Sequence, residues 1–121
     1  MPTPITIAVA QIDVAFADRP RNLARMIEVL GQAAGKGAKL VVFPEAALTG
    51  YCFDSLADAR PHAEPIPGPS TQRLTAVCRE LNVLAIYGLL ESDGERVFNA
   101  CALVGPDGVV GSYRKIHLPF L

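Results

Sequence analysis

The sequence predicts an α/β fold: a mixed sheet of about five strands with two main helices. Three observations lead there. A β-branched run, "ITIAVAQ" at 5–11, is followed by a helical pattern and then by the apolar run "KLVVF" at 39–43; a strand, helix, strand order of this kind is a βαβ unit with parallel strands. Farther on, "VLAIYGLLE" (83–91), "VFNACALV" (97–104) and "VVGSYRKI" (109–116) are separated by Asp93-Gly94 and Asp107-Gly108, dipeptides that favour tight antiparallel connections. Half of the 121 residues are hydrophobic (50%) and the mean hydropathy is +0.29, which supplies a core and excludes a disordered chain.

Each element has its own local signal. In the first helix Leu23, Ile27, Leu30 and Ala34 recur at steps of four, three and four, one face of a helix. Asp18 is placed to cap its start with Pro20 in the first turn, and Gly35 with Gly37 closes it. From Tyr51 to Pro69 the segment containing "CFDSLADARPHAEPIPGP" has no clean period and reads as chain wrapping the surface. Ser70 or Thr71 can cap a second helix, in which Leu74, Val77, Cys78 and Leu81 share one face up to Asn82. No internal repeat or low-complexity tract interrupts this order.

The charge balance narrows the partners. Lys+Arg 11 against Asp+Glu 12 gives a net charge of −1, no footprint for nucleic acid or for an anionic membrane. A small neutral or mixed-charge ligand fits better. The three cysteines, Cys52, Cys78 and Cys101, are odd in number, widely spaced and set among apolar neighbours, the pattern of reduced, buried thiols. The start, "MPTPITIAVAQ", lacks the basic region of a secretory signal, and no run of 18 apolar residues occurs. A soluble, cytoplasmic protein is expected.

Two stretches carry chemistry. In "KLVVFPEAALTGY" (39–51) a buried-looking strand runs into Pro44 and then a carboxylate, Glu45. Functional groups in α/β sheets gather beyond the carboxyl ends of strands; Pro44 keeps Phe43 extended and ends the strand without needing an amide partner. Spacing alone leaves Glu45 equally readable as a surface loop acid. In "GSYRKIHLPFL" (111–121), Tyr113, Lys115 and His117 share one face of an extended segment. A lysine on an inner face requires a compensating carboxylate, and the alternative leaves Lys115 in solvent. His117, without companion ligands, reads as a hydrogen-bonded packing residue. "GQAAGKG" (31–37) closes a helix and has no Ser or Thr after its lysine, so it is no phosphate loop. Cys52 and His62 lack metal-ligand spacing, and Arg60 with His62 reads as a solvated loop pair. Neither a metal nor a cofactor is expected.

Taken together, "VVFPEAALTGY" and "GSYRKIHLP", with "IAVAQ" at the start and "FNACALVGPDG" between them, resemble the first two signature blocks of the carbon–nitrogen hydrolase (nitrilase) superfamily. That resemblance implies an α-β-β-α sandwich and a Glu-Lys-Cys site acting on small amide, carbamoyl or nitrile substrates. Glu45 would be the general base and Lys115 the oxyanion stabiliser. The chemistry suits these residue types, because a thiolate attacks an amide or nitrile carbon well but needs a base to form it. In the superfamily the nucleophilic cysteine lies in a third block, downstream of the lysine motif, so residues 1–121 are expected to be the N-terminal portion of a single, longer hydrolase domain and inactive alone. A homo-oligomer is expected at full length. Among the cysteines present, Cys78 and Cys101 read as structural and only Cys52 follows Glu45 closely. Two alternatives stay open: a glutaminase-type domain supplying ammonia to a synthetase, and a non-catalytic sandwich domain if the protein ends at Leu121.

Overall fold

The structure, a computed structural model, describes residues 2–118. Met1 and residues 119–121, the end of the stretch carrying Lys115, lie outside them. Five strands form one sheet in sequence order: β1 (Ile7–Val9), β2 (Leu40–Val42), β3 (Leu84–Asp93), β4 (Arg96–Gly105) and β5 (Gly108–Arg114). β1, β2 and β3 run parallel, with Ile7 opposite Leu40 and Leu40 opposite Leu84. β3, β4 and β5 form the antiparallel meander. The mixed sheet read from the sequence is therefore present, with the βαβ unit at one side and the two hairpins at the other.

α1 (Arg19–Gly35) connects β1 to β2. Asp18 caps it as expected, its carboxylate accepting from the Arg21 amide at 3.1 Å. The buried face is rotated from the expected stripe: Asn22, Met26 and Leu30 are inside, while Leu23, Ile27 and Ala34 pack at its margin. Asn22 lies inside with a chemical partner set, its amide bonding the backbone of Ala15 and Leu48. α3 (Pro69–Leu81) is capped by Gly68, not by Ser70 or Thr71. Thr71 instead sits in the first turn and accepts from the Gly68 amide at 2.7 Å, the reaching-back half of a capping box. Leu74, Val77 and Cys78 are buried as predicted, and Asn82 closes the helix at φ +54.

The segment read as aperiodic contains a third, short helix, α2 (Leu56–Ala59), and one turn of 3-10 helix (Arg60–His62). Ser55 caps α2 through the Asp58 amide. Four residues are too few for a hydrophobic period to show. Arg60 is exposed, as expected, and donates to the Glu95 carbonyl at 3.1 Å, whereas His62 is half-buried and stacks on Phe53. Glu64, next along, is buried; it accepts from the Ser70 amide at 2.8 Å and from the Ser70 hydroxyl, which also meets Tyr87 Oη at 2.6 Å.

Both hairpin signals mark turns, each with two loop residues. Gly94 and Glu95 link Asp93 to Arg96, with Gly94 at φ +60; Pro106 and Asp107 link Gly105 to Gly108, with Gly108 at φ +121. In both, the glycine supplies the positive φ that an L side chain resists.

The two long helices cover one sheet face. Val41, Ala85, Tyr87, Leu89 and Val104 point toward them and are buried in the same core as Met26, Leu30, Leu74 and Val77. The opposite face carries the intervening residues. Ile7 and Val9 are 56% and 78% exposed on it, and Leu40, Val42, Ile86 and Leu103 are half-buried. β1 and the residue after it thus pack small Ala8 and Ala10 against the helices, and β1 turns its β-branched residues the other way.

Candidate active site

Glu45 lies three residues beyond the end of β2, where the chain runs on beside β3. The Phe43 amide donates to the Ile86 carbonyl at 2.8 Å and the Gly88 amide to the Pro44 carbonyl at 3.3 Å. The chain then turns. Ala46 adopts φ +50, in the left-handed region, and its carbonyl accepts from the Thr49 and Gly50 amides. Such a conformation in an alanine persists only when surroundings over-determine it. Two contacts do so. The Asn22 amide of α1 donates to the carbonyls of Leu48 and Ala15 at 2.8 and 2.7 Å. Across the sheet, a Cβ on Gly88 would lie 2.3 Å from the Ala46 nitrogen and 2.9 Å from the Glu45 Cα, so only a glycine admits this backbone so close to β3.

That close approach yields a prediction. Gly88→Ala is expected to push residues 45–46 off β3 and to destabilise the fold by about 1–3 kcal/mol, the usual cost of an overpacked site. A thermal melt reads this, and an unchanged melting temperature would mean that the Glu45 turn is loosely held.

Lys115 reaches Glu45 from the β5 edge of the sheet, at the same end of the strands. It follows β5 directly, and its amide donates to the Asn99 carbonyl at 2.8 Å, continuing the ladder by one residue. Its Nζ donates to Glu45 Oε1 at 2.7 Å, and Asn99 Nδ2 donates to the same oxygen at 2.8 Å. The structure therefore brings together the two residues singled out in the sequence. The side chains stay 46% (Glu45) and 40% (Lys115) exposed. The Lys115 hydrogen bond, then that of Asn99, hold the Glu45 carboxyl below the usual carboxylate range, against a smaller opposing effect of burial.

The pair stands at the edge of a cleft of about 280 Å³ on the uncovered sheet face, walled by Val42, Ile86, Gly88, Cys101 and Tyr113. An apolar cleft with a few convergent polar groups is the usual form of a small-molecule site. Pro44 and Glu45 also border a second hollow, shared with Asp13, Phe16 and Tyr51. Among the described residues, no cluster of three or more His, Cys, Asp or Glu is placed to hold a metal, and no helix is long and apolar enough to cross a membrane.

Three expectations change. Cys101, expected to be structural and buried, is half-buried and lines the cleft, between Gly88 and Tyr113 on the neighbouring strands. Strand alternation puts it on the open face with Asn99, which the apolar context of "NACALV" conceals. His117, expected to be a packing residue, is exposed beyond the end of β5. Cys52, expected among the buried thiols, is exposed at φ +76 in the loop after Gly50. Cys78 is buried in the core, and burial pushes its thiol up to about 11, which makes it an inert packing group. Sequence reasoning missed Asn99, Gly88 and Asn22. Asn99 left a trace, because asparagine is disfavoured within strands and here interrupts an apolar run.

Comparison with known proteins places this geometry. Over 121 aligned residues the chain is 37% identical to omega-amidase NIT2 of Homo sapiens, covering 96% of this chain and 41% of that protein. Over 115 residues it is 35% identical to a nitrilase of Pyrococcus abyssi, covering 94% of this chain and 44% of that one. The chain thus spans about two-fifths of the length of these curated relatives. Among solved structures, an N-terminal amidase superposes with a TM-score of 0.81 at 25% identity, over 93% of this chain and 28% of the other. The NitN amidase from Neterenkonia sp. AN1 gives 0.77 at 21% identity, over 98% of this chain and 46% of that one, a likeness of fold. These neighbours agree with the α/β sandwich expected for the sheet and its helices. The family model described as carbon-nitrogen hydrolase matches residues 6–120, and the chain belongs to that family.

Proposed function

We propose that this chain carries the base and the oxyanion-stabilising cation of a hydrolase acting on carbon–nitrogen bonds other than peptide bonds, in small amide, carbamoyl or nitrile substrates. The observation that carries this reading is the 2.7 Å contact between Lys115 Nζ and Glu45 Oε1 at the edge of an apolar cleft. The nucleophile is a cysteine thiol supplied beyond residue 121. Relatives roughly twice as long, and a sheet face on which Ile7 and Val9 stand exposed, support reading residues 1–121 as one portion of a single hydrolase domain whose remainder packs on that face. The full-length protein is read as a cytoplasmic homo-oligomer.

The chemistry follows from the groups in hand. For an amide, Glu45 accepts the thiol proton, the thiolate adds to the carbonyl carbon, and the carbonyl oxygen takes the negative charge. Lys115 has three N–H donors and spends one on Glu45, so the others can meet that oxygen. Collapse of the adduct expels the amine, which takes the proton back from Glu45, and leaves a thioester for water to hydrolyse. Relatives named amidases support the amide reading.

Lys115→Ala in the full-length protein tests it. Turnover of a small primary amide, read as ammonia release, is expected to fall at least ~10²-fold, the effect of removing an oxyanion donor. If Lys115 is only a surface cation, turnover and melting temperature will both stay put.

A further inference from the structure

Resting on that reading of Glu45 as the base, we infer that Asn99 is a positioning residue which, with Lys115, fills Oε1 of Glu45 and leaves Oε2 as the oxygen that exchanges the proton. Both donors, Asn99 Nδ2 at 2.8 Å and Lys115 Nζ at 2.7 Å, converge on Oε1. A carboxylate oxygen has two in-plane lone pairs, so a proton arriving at Oε1 must displace a donor. No described residue donates to Oε2. Asn99 also fixes the other donor, since its backbone carbonyl accepts from the Lys115 amide at 2.8 Å. One residue of β4 therefore sets both members of the pair: its main chain places Lys115 and its side chain fixes the plane of the Glu45 carboxylate.

This arrangement has a purpose in a group that must first take a proton and then return it. Donors aimed at the ionised form favour it, so the base stays charged and ready. The same donors make the protonated form a better acid for the departing amine. Placing both on one oxygen achieves this without blocking the oxygen that reacts.

The polar and titratable groups that line the two hollows bordered by Glu45 come from four places. They are Lys115 just after β5, Tyr113 on β5, Cys101 and Asn99 on β4, and Asp13 and Tyr51 from the loops across Pro44. Asp13 and Lys115 remain in every variant below, so differences between variants report on Asn99.

The test is the pH profile of kcat/KM for ammonia release from a small primary amide, measured on full-length wild type, Asn99→Ala, Asn99→Asp and Glu45→Gln. In Asn99→Ala the acid limb should move to higher pH, and kcat should fall about ten- to a hundredfold, as expected for a lost hydrogen bond to a charged group, with KM little changed. In Asn99→Asp, nearly isosteric and so protected against a folding failure, the limb should move further in the same direction, because a like charge now faces the carboxylate. An acid limb that stays in place in both variants, whatever the melting temperature does, overturns the inference and leaves Asn99 as a packing residue. Activity surviving in Glu45→Gln overturns instead the reading of Glu45, and the two failures are thereby separate.

Discussion

Replacing Glu45 by glutamine in the full-length protein is expected to lower turnover by ~10²–10⁴-fold or more, with little change in melting temperature. The substitution keeps size and shape. A glutamine carbonyl can still accept from Lys115 Nζ and Asn99 Nδ2, the two donors now on Oε1, and an ion pair this exposed contributes ~0–1 kcal/mol to stability. What is lost is the basic oxygen. Without it the nucleophilic thiol keeps its proton near neutral pH, and the departing amine finds no acid. The wild-type pH dependence follows from the same contacts. Because Lys115, then Asn99, hold the Glu45 carboxyl below its ordinary value, activity of the full-length protein is expected to hold through the neutral range and to fall as pH drops through that lowered value. The small stability contribution of the pair has the same sign, present above the unfolded-state pKa and lost on acidification through the folded one. Turnover like that of wild type in Glu45→Gln would remove Glu45 from the chemistry.

How much of this was readable from the chain depends on the range of the interaction behind each feature. The βαβ unit and the meander are written in local signals: alternation within strands, Asp18 before Pro20, and glycine at each turn. Glu45 and Lys115 were legible because each ends a strand in a recognisable setting. Their contact joins elements far apart in sequence, and only the resemblance linked them. Asn22, Gly88 and Asn99 escaped for a common reason. Each acts on a backbone or side chain from another element, and nothing in the flanking residues announces that partner. Asn22 lies one position before the predicted stripe, yet the buried face of the helix runs through it, Met26 and Leu30. Cys101 shows the limit of apolar context: flanked by Ala100 and Ala102, whose side chains are buried, it faces the other side of the sheet.

Residues 1–121 expressed by themselves are expected to hydrolyse no amide, carbamoyl or nitrile substrate, although they carry Glu45 and Lys115. On the proposed reading these two activate and stabilise, and neither forms the covalent bond; when catalytic groups act as a unit, losing the nucleophile removes nearly all the rate the unit provides. The three cysteines present do not replace it. Cys78 is buried with its thiol raised to about 11. Cys52 is exposed in the loop after Gly50 and does not line the cleft. Cys101 is the stronger internal candidate, since it lines the cleft beside Asn99. Yet it lies inside β4, with Gly88 and Tyr113 opposite it on the two neighbouring strands. Among the described residues no hydrogen bond joins it to Glu45, and the ladder on both sides occupies the backbone amides an oxyanion would need. The measurement is ammonia release from a panel of small amides by residues 1–121, by their Cys52→Ser and Cys101→Ser variants, and by a longer chain extended through the third block. Activity confined to the longer chain supports a nucleophile beyond residue 121. Activity in the short chain that vanishes with Cys101→Ser would place the covalent step on β4, and loss with Cys52→Ser would place it on the loop after Gly50; either result would end the proposal that this chain supplies only the base and the cation.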